Sequence, residues 1–477
     1  MEASILLSLL LGAVLLLSLS VFVHRQKSIF GDPRIPKGSD GWPLVGETLA
    51  FGNVDPMKFA LPRIKKFGRV FKSHLLGTPS IMVATPEMAK FVYGERNLFR
   101  ASYPRTITTL IGKGFLSSCD PHRHPFLKKV IQSVLLPDTL RHEVGRIEGY
   151  INGGLDSWDG KPILAAKEFK ELTLNIAVYF IFGLTDLRGT AEAQVLIDMY
   201  RALSSAMYVM PINLPGFHWY KSLQARKVGC DYLKRLILER RREADQGVKQ
   251  NTVLGALVGC TDEKGEKLRD DEIIDLLLGT LFGAHDTTAT TITWIVKHLS
   301  EHHDVLQAVV AEQEEIRKSK APGDPLTWED TRRMQYSLQV DILASLILWN
   351  VVSWLVAGPF VLCPFVVKAS GVLIPKGWRV FLMTTCIHLD AENFPNPLAF
   401  DPSRFQVPPK PGTYFPFASG THVCPGSELA KLVILVFMHH LTTKFRWQSL
   451  QPDTGTVFKP FPLPNGGYPI KLERKVL

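Results

Sequence analysis

The sequence predicts a mainly α-helical body with minor β-strand, held behind an N-terminal transmembrane helix. Three observations lead there. Apolar residues recur at helical spacing through most of residues 55–330, with only short strand-like runs between. The last third mixes short strands, turns such as "IPKG" and one final helix after Cys424. Ala3–Val23, "ASILLSLLLGAVLLLSLSVFV", carries no charge, and roughly 20 apolar residues let a helix cross a bilayer.

The elements follow in chain order. His24, Arg25 and Lys27 come directly after the apolar run, and only Glu2 precedes it. Positive charge stays cytosolic, so the body is expected to face the cytosol. A cleaved secretory signal would need a basic start and a shorter run; here the flanks are reversed. Residues 1–27 are therefore expected to be an uncleaved membrane anchor. Residues 28–54 hold "GDPRIPKGSDGWPLVGETLAF", a Pro/Gly-rich tether that leads into the body. Residues 55–477 read as one domain. Within it, "DPMKFALPRIKKFG" has helical spacing. "RVFKSHLLGTPSIMVAT" predicts two short strands around Gly77-Thr78-Pro79. "DDEIIDLLLGTLFGAHDTTATTITWIVKHLSEH" predicts one long apolar helix from near Asp270 that crosses the core.

Composition removes several classes. The chain is 46% hydrophobic and 21% charged, as globular proteins are, and it has no internal repeat. Its six cysteines form no CxxC pair, so they read as reduced packing residues. The net charge is +10, but basic residues are not clustered with aromatics, which excludes a nucleic-acid partner. "KRLILERRREADQGVKQ" is mixed in sign and reads as a solvated helix face. The excess charge suits an acidic protein or an anionic membrane surface.

"FPFASGTHVCPG", Phe415–Gly426, holds a single cysteine between glycines and a proline. A lone cysteine is most often a small buried hydrophobe. Here Gly420 and Gly426 permit close approach of another group, and the helix after Pro425 points its positive end at the sulfur, which favours thiolate. A thiolate serves as nucleophile, with His422 as base, or as a metal ligand.

The pattern Phe417-x-x-Gly420-x-x-x-Cys424-x-Gly426 resembles the haem-binding loop of the cytochrome P450 monooxygenases. That resemblance implies the P450 fold, a haem cofactor and Cys424 as its axial iron ligand. His422 stands where many members carry arginine; some plant members share the histidine. The long helix carries Gly283-Ala284-His285-Asp286-Thr287-Thr288, similar to the family's oxygen-activation motif. A Thr287 hydroxyl bonded to the Gly283 carbonyl would loosen the helix and make room for O2 and water, and Asp286 would relay protons. The bland alternative is a polar turn in a buried helix. "HPFLKKV" resembles the helix that contacts haem propionates, which implies His124 and Lys128 as their partners; otherwise these two are a solvated basic pair. In "FPNPLAFDPSRF", Arg404 takes the place of the family's structural arginine. "GWPLVGETLAF", "SYPRTITTLIGKG", "MHHLTTKFRW" and "PLPNGGYPIKLER" look like the plant clan that oxidises abscisic acid, brassinosteroids, strigolactone precursors and other terpenoids.

One family element is missing. The segment "MQYSLQVDILASLILWNVVSWLVAGPFVLCPFV" has no Glu-x-x-Arg. The best superposition puts Ala344 and Ile347 at the two charges; a one-residue shift puts Leu343 and Leu346 there. Glu143/Arg146, Glu239/Arg242, Glu314/Arg317 and Glu329/Arg332 all precede the expected site and read as surface pairs. Arg404 is then expected to be a buried charge without its partner, at a cost of about 3–5 kcal/mol. Ile342–Val367 also runs 26 residues without charge. Gly358, Pro359 and Pro364 interrupt it, so a buried, altered core segment is expected, not a second span.

The sequence thus points to a membrane-anchored haem-thiolate monooxygenase. It would act on a lipophilic small molecule with O2 and electrons from NADPH–cytochrome P450 reductase, because no flavin or nucleotide module fits in the chain. The place would be the endoplasmic reticulum membrane, single-pass. Tyr208–Tyr220, "YVMPINLPGFHWY", reads as a lipid-facing lid or as ordinary loop packing. The rival reading is a catalytically impaired relative lacking the Glu-x-x-Arg pair. A cysteine hydrolase built on Cys424 and His422 is the third.

Overall fold

The first strand pair forms where the sequence places it. Val70–Leu75 (β1) and Thr78–Val83 (β2) pair antiparallel with Val70 opposite Val83. Gly77 makes the turn at φ 71°, a left-handed conformation that costs glycine little. Arg100–Ala101 (β3), Val361–Leu362 (β4) and Arg379–Leu382 (β5) complete a five-stranded sheet in the order β1-β2-β5-β4-β3. The β2–β5 pairing is parallel and the other pairs are antiparallel. A second, antiparallel sheet sets Pro469–Arg474 between Pro162–Leu164 and Phe445–Ser449.

This computed structural model describes residues 32–476 except 43–45, 53–55, 76, 96–97, 185–190, 208, 353–360, 364–365, 370, 454 and 459–460. The expected anchor, most of the residues before the tether's prolines, and Tyr208 lie outside the described residues. No helix among the described residues is long and apolar enough to cross a membrane.

Two further two-stranded sheets, Val367–Ala369 with Val372–Ile374 and Thr456–Phe458 with Pro462–Pro464, lie in the C-terminal part of the chain, and helices make up most of the rest. Those that build the interior are His124–Ser133 (α1), Ala165–Phe182 (α2), Ala191–Ala206 (α3), Asp270–Ala284 (α4), Asp286–Glu301 (α5), Gln335–Val352 (α6) and Ser427–Lys444 (α7). The short helix Pro56–Phe67 also forms as its spacing predicts. Phe169, Leu277, Ile292, Leu343 and Phe437, one from each of α2, α4, α5, α6 and α7, are fully buried in one core. Each contributes about 1.5–3 kcal/mol relative to an exposed position. α2 stops at Gly183, which takes a left-handed φ of 76° that a side chain would disfavour. α4 begins with Asp270, Asp271 and Glu272, whose charges oppose the positive end of the helix.

The long central helix is not continuous. It breaks at His285 (φ −106°, ψ −47°) into α4 and α5. The reason is competition for its carbonyls. Thr287 Oγ1 donates to the Gly283 carbonyl at 2.9 Å, and Thr288 Oγ1 donates to that of Ala284 at 3.1 Å. Thr173 of α2 donates to the His285 carbonyl at 3.1 Å. Such back-bonding loosens a helix at the residues that accept it.

Where it is described, the uncharged segment lies largely in the core, with Cys363 fully buried and Val366 exposed. Its first half continues α6, where Leu343 and Ala344 are fully buried, and α6 packs on α5 and α7. Its second half includes β4 and the start of strand Val367–Ala369.

Candidate active site

Three elements meet around one cavity of about 320 Å³. The loop before α7 supplies Phe417, His422, Cys424 and Gly426. α1 supplies His124 and Lys128. The α4–α5 break supplies Gly283, Ala284 and Thr287. The rest of the wall is largely apolar, with Ile111, Phe282 and Val433 among its members.

The cysteine loop is built to hold its thiol. The Cys424 amide donates to the Phe417 carbonyl at 2.9 Å, which closes the loop on itself. Gly420 sits at φ 59°, and a Cβ there would stand 2.4 Å from the Tyr93 carbonyl oxygen, so only glycine fits. Gly420 therefore shapes the loop without lining the cavity. Gly426 lines the cavity, and a Cβ there would meet no protein atom within 4 Å. The same holds for Gly283 on the opposite wall. Burial pushes the Cys424 thiol up, although the Gly426 amide, Lys128 and Lys431 pull the other way. The amide at the start of α7 thus favours the thiolate, as the sequence suggests, and burial opposes it; a metal ion on the sulfur would tip the balance. Nor does His422 serve as its base: no hydrogen bond joins them among the described residues, and the His422 ring lies 5.3 Å from that of His124.

One edge of the cavity is basic. Lys128 Nζ donates to the Thr421 carbonyl at 3.0 Å, which ties α1 to the cysteine loop. Burial lowers Lys128, partly offset by Cys424. Burial, with His422 and Lys128 nearby, pushes His124 down to about 4. Among the described lining residues there is no carboxylate. A thiol on the floor, small residues on both walls and donors at one edge fit a flat, iron-bearing, twice-anionic group: haem. Residues 36–472 match the cytochrome P450 family model.

The chain is a cytochrome P450.

This P450 is similar to curated plant proteins along nearly its whole length. It is 38% identical to "Abscisic acid 8'-hydroxylase 1" of Arabidopsis thaliana over 476 residues, covering 99% of this chain and 98% of that one. It is 40% identical to "Abscisic acid 8'-hydroxylase 1" of Oryza sativa subsp. japonica over 447 residues, covering 92% and 91%. Among solved structures, "Retinoic acid bound cyanobacterial CYP120A1" superposes with a TM-score of 0.80 at 26% identity, covering 92% of this chain and 99% of that one. The fold, the haem cofactor and the monooxygenase class follow from these matches.

Two expected site residues lie elsewhere. Asp286 is buried but does not line the cavity. Its carboxylate points to α2 and α3, where Lys170 Nζ lies at 2.8 Å and the Tyr200 hydroxyl donates at 2.9 Å. Desolvation pushes Asp286 up, but His285, Lys170 and Tyr200 outweigh it and hold the carboxyl below its usual range. Nothing local in the sequence marks Lys170 and Tyr200, 116 and 86 positions away, as partners of Asp286. Arg404 lies outside the cavity as well. Its guanidinium is half-buried, and it donates to the carbonyls of Asp401, Asn396 and Ala399 at 3.1, 2.9 and 2.8 Å. The expected stranded charge is not present: main-chain oxygens of its own loop take the place of a carboxylate.

Proposed function

We propose that this P450 hydroxylates a lipophilic, weakly acidic plant hormone of the abscisic acid type. Cys424 is the axial ligand, Lys128 and His124 meet the haem propionates, and Thr287 and Asp286 manage protons. The observation that carries this reading is the Cys424 thiol facing the α4–α5 break across one cavity, with Gly283 and Thr287 on the far wall. Haem, when bound, supplies the activation of O2 and the transfer of one oxygen atom to substrate. The chain's residues do the rest. The apolar wall takes up a lipophilic substrate and excludes bulk water. Thr287 can rotate its hydroxyl from the Gly283 carbonyl toward the cavity, and Asp286 holds a charge behind that helix break.

Two further parts belong to the same proposal. Residues 1–27 anchor the protein in the endoplasmic reticulum membrane, residues 28–54 tether it, and residues 55–477 form the haem domain facing the cytosol. Met210, Leu214 and Phe217 are 76%, 57% and 46% exposed, which supports a lipid-facing loop there. NADPH–cytochrome P450 reductase supplies electrons; the net charge of +10 suits an acidic partner.

The test is the spectrum of the reduced, carbon-monoxide-treated protein, followed by turnover of abscisic acid with reductase. A strongly red-shifted Soret band, absent in C424S, and a hydroxylated product support the reading. The band without product redirects the search to other terpenoid hormones. Folded protein without the band supports the catalytically impaired relative, which the uncharged Leu343–Ala344 region favours.

A further inference from the structure

We propose that His298, Glu301 and His302, at the C-terminal end of α5, bind one divalent first-row transition-metal ion, for which zinc is the best match. None of the three lines the Cys424 cavity, so this site is separate from the haem.

The spacing i, i+3, i+4 brings the three side chains to one helix face. One donor atom from each lies within 4.8 Å of the other two. Two imidazoles and a carboxylate form a donor set suited to zinc and its neighbours, with water completing the shell.

Each residue is also prepared for the role. His302 Nδ1 is 2.9 Å from the His298 carbonyl. A carbonyl only accepts, so Nδ1 carries the proton and Nε2 keeps its lone pair. Metal-binding histidines are commonly oriented in this way. His298 stacks on Phe400 at 4.5 Å and on Trp294 at 5.4 Å. Both of its ring nitrogens are buried without a hydrogen-bond partner among the described residues. A buried polar atom left unmatched is costly and calls for an explanation; a metal bond provides one. Glu301 Oε1 takes a hydrogen bond from Lys297 at 2.6 Å, while Oε2 faces His298 Nδ1 at 3.7 Å, too far for a hydrogen bond. Lys297 also meets Asp453 at 3.2 Å, so one ammonium faces two carboxylates, a net of −1 that attracts a cation.

Entry and adjustment are both available. Glu301 lines a groove of about 710 Å³ between α5 and the C-terminal sheet. Zinc bonds of about 2.0–2.2 Å need the donors closer than they now stand. Glu301 is 39% exposed, and His302 sits at the helix end with φ −117° and ψ 84°, so both can turn inward.

The experiment titrates zinc chloride into chelator-treated, full-length, haem-loaded protein by calorimetry. The wild type is expected to bind one equivalent, with E301Q at least about tenfold weaker and H302A losing the site. Both substitutions are at the open end of the site and leave the buried His298 in place. Melting temperatures read folding independently: zinc raises that of the wild type and not that of H302A, while the zinc-free values stay close. Equal zinc binding by wild type, E301Q and H302A overturns the proposal, as does a wild type that shows no saturable uptake. An unaltered Soret spectrum on zinc addition separates this site from the haem, so the assignment stands or falls independently of the substrate.

Discussion

Lys170 Nζ stands 2.8 Å from Asp286 Oδ1, and the pair lies behind the cavity wall, not in it. The Asp286 carboxylate is only 2% exposed and Lys170 is 28% exposed, so the carboxylate depends on this contact more than the ammonium does. K170M leaves a buried charge with His285, Tyr200 and Ser204 alone. The cost is about 1–3 kcal/mol, below the figure for a fully buried pair because Lys170 is partly solvated. The sign with pH is fixed. Asp286 is lowered on folding, so its stabilisation is present above the ordinary carboxylate range and disappears as pH falls through its depressed folded value. In K170M the folded value is less depressed, so that loss is smaller and is complete at a higher pH. Urea denaturation of both proteins at several pH values checks it; parallel curves would remove the coupling.

Thr287 separates structure from chemistry. Among the described residues its hydroxyl makes one bond, to the Gly283 carbonyl at 2.9 Å, on the cavity wall. T287A should therefore cost about 1 kcal/mol or less in stability. If the hydroxyl serves proton delivery, product formed per electron donor consumed should fall about tenfold or more, and T287S should restore it. Haem content and melting temperature are the controls. An unchanged yield in T287A would confine Thr287 to a structural part.

The residues that could be read from sequence are those whose neighbours are local. The Phe417–Gly426 loop declares itself because its glycines and cysteine act on one short turn, and the β1–β2 hairpin because Gly77 fixes its turn. The break at His285 was half legible. Thr287 and its carbonyl are four residues apart, but Thr173, which holds the break open from α2, is 112 away. Arg404 shows the opposite case. The family pattern points to a distant carboxylate, while the carbonyls that satisfy it lie within eight residues. Composition carries no sign of that loop's geometry.

Arg404 should consequently act as a loop clasp. Three donor contacts of 2.8–3.1 Å come from a planar fork that lysine cannot reproduce. R404K is expected to cost about 1–3 kcal/mol, close to R404A, although it keeps the charge. Guanidinium denaturation of the two variants checks this. If R404K matched the wild type, charge alone would matter and the missing Glu-x-x-Arg partner would again need a replacement.

Asp341 gives the clearest pH prediction. It lies on α6 one turn before Ala344, is 1% exposed, and has Ser345 Oγ at 3.4 Å as its hydrogen-bond partner. Burial raises its carboxyl to about 7, against smaller opposing effects of Lys431 and Ser345. The folded protein thus holds a proton that the unfolded chain, with the ordinary value of 3.8, has released. Stability must then fall as pH rises between those two values, at up to about 1.4 kcal/mol per unit. The full penalty above that window is about 4 kcal/mol, of which about 1.5 kcal/mol is already present at pH 5. D341N keeps the shape and removes the ionisation. It should stabilise the protein more at pH 8 than at pH 5, by roughly 2–3 kcal/mol in the difference. Denaturant midpoints of wild type and D341N at the two pH values decide it. A gap of equal size at both would mean that Asp341 is ionised in the fold, with Lys431 holding its charge.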